Sequence, residues 1–444
     1  MARVVRWWSG GMRDKQGMRI RHLFFAGTAL ALLVLGPVPE ALAQGTPQTL
    51  ELPQVLQAAR QNPDAQAAQR AAQAALADVR AANRAPAPVL STGVSSIDLQ
   101  RGTGAGSFWH DKTIDKSLGL DWTWERGNKR EWRTEAAERA ARAARADGQD
   151  TRVVQQIGAL GAFYDLLAAQ ERLQILQDLA ESAGALARSA TLRLKAGDLS
   201  AQEASRIAIE SERAQTELES ARLTRQLAMQ ALAGWMGQAV PVSGWQAQGP
   251  WPQWQVEPAA ADIDALVEQR PDVVAARERL AAAQAALQAA QALTQADPTL
   301  GATFDHYPDG QQTHRWLALR ISVPLNGFSR FEGEIGRAQA QKDQASDLLA
   351  KARIQALAEL QGLLQSWQGH RARLQAYATR ILPQAQQVAM QAELAYNKGA
   401  LSLTDLLDAR RTLRSTQLEA TVVQNDHAHA LGAWQLRSAA AQDQ

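Results

Sequence analysis

The chain has 444 residues, 21% of them charged and only 5% aromatic, with 47 Lys and Arg against 45 Asp and Glu for a net charge of +2. That balance leaves no electrostatic basis for nucleic-acid binding, and the absence of cysteine excludes disulfides, thiolate metal sites, thiol nucleophiles and a lipid-modified N-terminal Cys. The abundance of Ala, Gln, Leu and Arg, with apolar residues three and four apart over long spans, points to extended coiled helices rather than one large spherical core.

Residues 1–43 read as a signal peptide, with residues 1–17 ahead of the pattern as an early assigned start. Met18 to Arg21 supply a basic n-region, Leu23 to Val38 an apolar h-region, and Ala41-Leu-Ala43 before Gln44 a small-residue cleavage site. The mature chain then divides into two repeats, 44–258 and 259–444. No later apolar run approaches the roughly 20 residues that a spanning helix requires, so any membrane passage must be made by strands.

Each repeat opens on a helix start marked by proline, Asn62-Pro63-Asp64 in the first and Arg270-Pro271-Asp272 in the second, where a missing N–H costs nothing. Ala-rich helical runs follow to about Arg84 and Gln295, and prolines 86, 88 and 298 end them. The period then changes to two. Val89–Ile97 and Leu118–Trp124, separated by a Gly-rich loop, form one strand pair; Thr299–Tyr307 and Trp316–Val323, joined through Pro308-Asp-Gly310, form the other. The aromatic residues Trp109, Trp122, Trp124, Tyr307 and Trp316 near the strand ends fit the girdles of a membrane barrel anchored in outer membrane lipid, the plainer alternative being a small soluble β-subdomain. Four strands cannot close a barrel, so the membrane reading demands an oligomer.

Basic, Gly-containing corners (Glu125–Arg130 and Pro324–Arg330) lead into two rods, about Asn128–Lys195 and Arg330–Lys398. Each is about 70 residues and so on the order of 100 Å long. Leu160, Tyr164, Leu167, Leu173, Leu176 and Leu179 mark a packing seam, and Gly369 with Pro383 predicts a bend or break in the second rod. Both rods end at a glycine, Gly197 and Gly399, which suits a hairpin reversal needing positive φ. Helices return from Ser200 to Trp235 and from Ser402 to about Leu436, with Ser402 or Thr404 as the second N-cap. Gly234–Pro258 reads as a linker packed outside the rods, and the chain beyond about Arg437 as a fraying tail.

The order of these features, twice over with the same spacing, resembles the TolC-like outer membrane efflux proteins across essentially the whole mature chain. Ile321-Ser-Val-Pro-Leu-Asn-Gly-Phe-Ser-Arg330 looks most like the branch serving cobalt, zinc and cadmium pumps. The resemblance implies a mainly α fold with a membrane β-barrel portion: a homotrimer whose four strands per chain share one twelve-stranded barrel in the outer membrane, continued into the periplasm by a helical barrel. It implies a passive channel, not an enzyme, working with a periplasmic adaptor and an inner-membrane pump of the RND type, with heavy-metal cations as cargo and no cofactor. The alternatives are a drug or other small-molecule duct of the same family, or a periplasmic coiled-coil structural or adaptor protein.

The resemblance places an acidic constriction at Asp405 and Asp408, matched in the first repeat by Glu203 and Arg206, and adaptor docking at Gly197, Leu199, Ser200, Gly399, Leu401 and Ser402. The plainer reading of the acids is that carboxylates favour the first turns of a helix. Leu401 stands where drug-exporting members carry a basic latch residue, so any lock is expected to use Glu203, Arg206, Arg410 or Arg411. The seven histidines lack ligand spacing and are expected at the surface, with no metal site. No catalytic constellation or phosphate loop is present.

Overall fold

The computed structural model describes residues 48–100, 102–241, 243–256, 262–308, 312–325 and 330–442. The expected signal peptide, the boundary between the two expected repeats, the turn at 309–311 and the corner residues 326–329 lie outside them.

A short strand β1 (Gln48–Leu50) precedes α1 (Leu52–Arg60) and α2 (Pro63–Ala82); β2 (Val89–Ser95) and β3 (Asp115–Thr123) follow. Next come α3 (Lys129–Ala196), α4 (Ala201–Met236) and the short β4 (Trp245–Ala247). The second half runs through α5 (Ile263–Gln269), α6 (Pro271–Ala292), β5 (Thr299–Pro308) and β6 (Thr313–Ser322). It then continues as α7 (Glu332–Ala376), a π-helical turn (Tyr377–Ile381), α8 (Leu382–Asn397) and α9 (Leu403–Gln442). At 68 residues α3 is about 100 Å long.

The doubled proline motif is a pair of clamps. Pro63 and Pro271 each take the first position of a helix. Asn62 caps α2 by accepting from the Asp64 N–H at 2.8 Å, while its amide donates to the carbonyls of Gly234 and Trp235 at the end of α4. In the second copy Arg270, only 2% exposed, forks onto Asp272 at 3.0 and 2.8 Å and reaches Glu359 of α7 at 2.8 Å. Arg437 of α9 joins that carboxylate at 2.9 Å and Asp150 of α3 at 2.6 Å. Four helices therefore meet on one ionic network, which suits arginine because its planar fork serves several carboxylates at once. This overturns the expected fraying after Arg437: α9 runs to Gln442, with Ala441 buried against Leu266, Val273 and Trp434.

Strands β2-β3-β5-β6 form one antiparallel sheet in that order, and β1 pairs with β4 in parallel as a separate two-stranded ribbon. The ribbon was not anticipated, because a three-residue strand carries no periodicity. Its strand β4 belongs to the segment expected as a linker, which is fastened to α3: Trp245 is buried, Gln170 of α3 exchanges hydrogen bonds with the Ala247 backbone, and the Trp251 indole donates to Glu171 at 2.6 Å. The main core surrounds Leu160, Phe163, Leu166 and Leu167 on α3, beneath α1 and the end of α4. Trp235 lies flat on Gly158, where a Cβ would meet its ring at 2.5 Å.

The corner into α3 is bolted to the ends of two helices. Lys129 donates to the Gln295 carbonyl and to Asp297, and Arg133 reaches Glu125 and the carbonyls of Ala82 and Arg84. The second rod is continuous except at the π turn directly before Pro383. Proline removes the donor that an α-helix would use four residues back, and a wider turn absorbs the defect.

Candidate functional site

At the far end of each rod the glycine reverses the chain. Gly197 (φ +82°) and Gly399 (φ +73°) both lie in the left-handed region, and nothing stands within 4 Å of a Cβ built on either. The backbone conformation, not crowding, therefore requires glycine there. The N–H of Asp198 returns to Arg193 and that of Ala400 to Ala395, closing the last carbonyls of α3 and α8.

The following helices start alike. Ser200 accepts from the Glu203 N–H at 3.2 Å and donates to its carboxylate at 2.7 Å; Ser402 does the same for Asp405 at 3.2 and 2.7 Å. Ser402, not Thr404, is thus the second cap. Glu203, equivalent by alignment to Asp405, also accepts from the Ser200 N–H at 3.2 Å and so closes a capping box at its own tip. The hydrogen bonds from Ser200 hold the Glu203 carboxyl below its usual range. Asp408, one turn further, is well exposed and lies 3.5 Å from Arg411 on its own helix. Gly197, Ser200, Gly399 and Ser402 are exposed, with Leu199 and Leu401 half-buried beside them.

Of the four residues expected to form a lock, two cross between helices. Arg411 forks onto Glu210 of α4 at 3.3 and 2.7 Å. Arg410 joins Glu393 of α8 at 2.8 Å and the Ser182 hydroxyl of α3 at 3.3 Å. Arg414 adds Glu217 of α4 at 3.5 Å. These contacts close over a small apolar space lined by Leu179, Ala183, Leu186, Ile207 and Leu407. Glu203 turns to its own cap, and Arg206 has no ion-pair partner among the described residues. Glu210 was missed by sequence reasoning, although it stands two helical turns past Glu203 on the same face.

At the opposite end the strand register separates two faces. Leu90 pairs with Leu120, Leu120 with Ala302 and Ala302 with Leu319. The neighbouring rungs on that face hold Trp122, Leu300 and Ile321 on one side and Leu118, Phe304 and Leu317 on the other, nearly all exposed. The alternate face carries Ser91, Gly93, Ser117, Asp121, Thr303, Asp305 and Arg320, with an Arg320–Asp121 pair at 2.7 Å. A contiguous apolar face of this size on a chain that buries so little of it marks an interaction surface. The same parity corrects the expected girdle. Trp122 lies on the apolar face, but Tyr307 and Trp316 lie on the polar one with Asp305, so the five aromatics do not make one belt. Trp109 sits in the β2–β3 loop and Trp124 just past β3.

His427 contradicts the expectation of surface histidines: it is fully buried, and neither ring nitrogen has a hydrogen-bond partner. Among the described residues no group of three or more His, Asp or Glu side chains is arranged to hold a metal ion, and no helix is long and apolar enough to cross a membrane.

The long helical hairpins carried on a sheet with one apolar face superimpose, over most of the chain, on solved outer membrane channels. The CmeC outer membrane channel of Campylobacter jejuni matches with a TM-score of 0.74 at 16% identity over 88% of this chain and 86% of that one. CusC matches at 0.72 and 19%, over 87% and 91%. Residues 55–238 and 263–440 match the outer membrane efflux protein family, and the chain belongs to it. The cobalt-zinc-cadmium resistance protein CzcC of Cupriavidus metallidurans is 29% identical over 291 residues, 65% of this chain and 68% of that protein.

Proposed function

We propose that three copies of this chain form the exit duct of a tripartite exporter that carries divalent metal cations out of the cell. The observation that supports it best is the sheet: one exposed apolar face, one polar face, and unpaired edges at β2 and β6. Because every pairing is antiparallel, β2 and β6 run in opposite directions, and β6 of one copy continues onto β2 of the next in the same sense. Three copies of four strands then close a twelve-stranded wall with no free edge, leucines toward lipid and Asp121 and Arg320 toward the lumen.

The helical rods extend the wall into the periplasm, where the exposed tips at Gly197, Leu199 and Ser200 and at Gly399, Leu401 and Ser402 meet an adaptor that links them to an RND-type pump. Asp405 and Asp408, repeated around the threefold mouth, form an acidic ring that admits cations. The metal cargo is supported by the likeness to the cobalt-zinc-cadmium resistance protein and by this carboxylate pair. Trp122 and Trp124 anchor the lower edge of the lipid-facing band.

Single-channel recording in planar bilayers tests the reading. The purified protein should conduct with a preference for cations, and Asp405→Asn with Asp408→Asn should reduce that preference severalfold. Unchanged selectivity would remove the two aspartates from the gate, and a protein that never conducts would remove the duct.

A further inference from the structure

Three basic side chains fall on one rung of the sheet at the end remote from the helices. Lys116 of β3 pairs with His306 of β5, and His306 pairs with Arg315 of β6. Parity puts all three on the apolar face, one rung beyond Leu118, Phe304 and Leu317. Directly opposed side chains stand about 5 Å apart, so Lys116 and Arg315 flank the His306 ring with about 10 Å between them, room for one anion. The nearest acids in the strands, Asp115 and Asp305, project from the other face.

The rung is also unfinished. Lys116 is 6% exposed, and its ammonium has no hydrogen-bond partner, only the face of Phe108 at 5.2 Å. A buried ammonium without a counter-charge is costly. Arg315 is exposed and has no ion-pair partner among the described residues. The His306 ring donates to the Trp109 carbonyl at 2.8 Å, which folds the β2–β3 loop beside the rung and leaves Phe108 and Trp109 packed edge to face and exposed next to it.

Nothing in a conducting duct requires this arrangement, since the three side chains point away from the lumen. From Arg315 to Val323 the wall extends roughly 27 Å along the strand, or about 20 Å once tilted, close to the ~25 Å apolar band of membrane barrels. The basic rung therefore lies where the hydrocarbon ends and lipid phosphates begin.

We propose that Lys116, His306 and Arg315 form a binding site for the phosphate of an outer-leaflet lipid headgroup, with Phe108 and Trp109 against the adjoining part of the lipid. The site rests on the reading of the leucine face as lipid-facing. Arg315 supplies a fork suited to phosphate, and Lys116 gains the anion its burial lacks.

Native mass spectrometry of the delipidated oligomer, offered either doubly phosphorylated lipid A or the same lipid stripped of phosphate, tests it. The wild type should retain the phosphorylated form about tenfold better, in keeping with charge-assisted hydrogen bonds to phosphate. Lys116→Gln with Arg315→Gln should lose that preference while conductance in planar bilayers stays unchanged. Arg315→Gln alone, at an exposed position, keeps the test open where Lys116→Gln fails to assemble. Equal retention of the two lipids by the wild type, or an undiminished preference in Arg315→Gln, would overturn the site. Absent conductance in a wild type that still prefers the phosphorylated lipid would count against the channel and not against this site.

Discussion

His427 and His429 stand two positions apart on α9 and meet opposite surroundings. Burial, then the neighbouring His370 and Arg371, push the His427 pKa down. Burial also works against the charged form of His429, but Asp165, 3.2 Å away, outweighs it and the net shift is upward. The signs follow. Below about 6.5 the unfolded chain binds a proton that folded His427 refuses, so its contribution falls as the solution is acidified. His429 contributes stability that is complete below about 6.5 and is lost as pH rises through its raised folded value. His427→Leu should therefore flatten the loss of thermal stability on the acid side, whereas Asp165→Asn should lower stability near pH 6 and change little in alkali. Circular dichroism melts across the range in which histidine titrates would show this, and parallel profiles for the two variants and the wild type would contradict it. The letter His in the sequence carried no sign of either environment, because both are made by helices far away in the chain.

Among the elements, what was legible in the sequence was whatever is set locally. The tips show because only glycine suits the left-handed reversals at 197 and 399, and because Ser200 and Ser402 precede an acid by three positions. The rods show through their length, the strands through their period of two, and the defect in the second rod through Pro383. What was not legible comes from residues remote in sequence: Arg437 finds Asp150 across 287 positions, Arg411 finds Glu210 across 201, and the sheet register decides which aromatics share a face. The clasp of Arg410 and Arg411 is the element-scale device with a direct readout, since it binds the return helix of the second hairpin to the first. Arg411→Gln should let the hairpins part and raise single-channel conductance severalfold, whereas Arg206→Gln, which breaks no ion pair, should leave it unchanged. Equal conductance in both variants would show that the clasp does not restrain the mouth.

At the scale of the molecule, the proposed trimer accounts for what the sheet leaves open among the described residues. A sheet with both edges unpaired and leucines on one face invites association, and an open one invites unlimited association. Closure of the proposed ring would resolve both problems at once: the edges would pair, the apolar face would turn to lipid, and the polar face would line a passage that the helical hairpins prolong. In a closed ring each copy uses β2 toward one neighbour and β6 toward the other, a head-to-tail contact that ends only when the rotation closes. The absence of cysteine makes this directly measurable. Thr92→Cys on β2 and Leu319→Cys on β6, on the same face, can be joined by a short bifunctional maleimide in outer membrane preparations and resolved by denaturing electrophoresis. A closed ring of three copies gives covalent products that stop at the trimer; monomer alone, or a ladder that runs on past three copies, would contradict it.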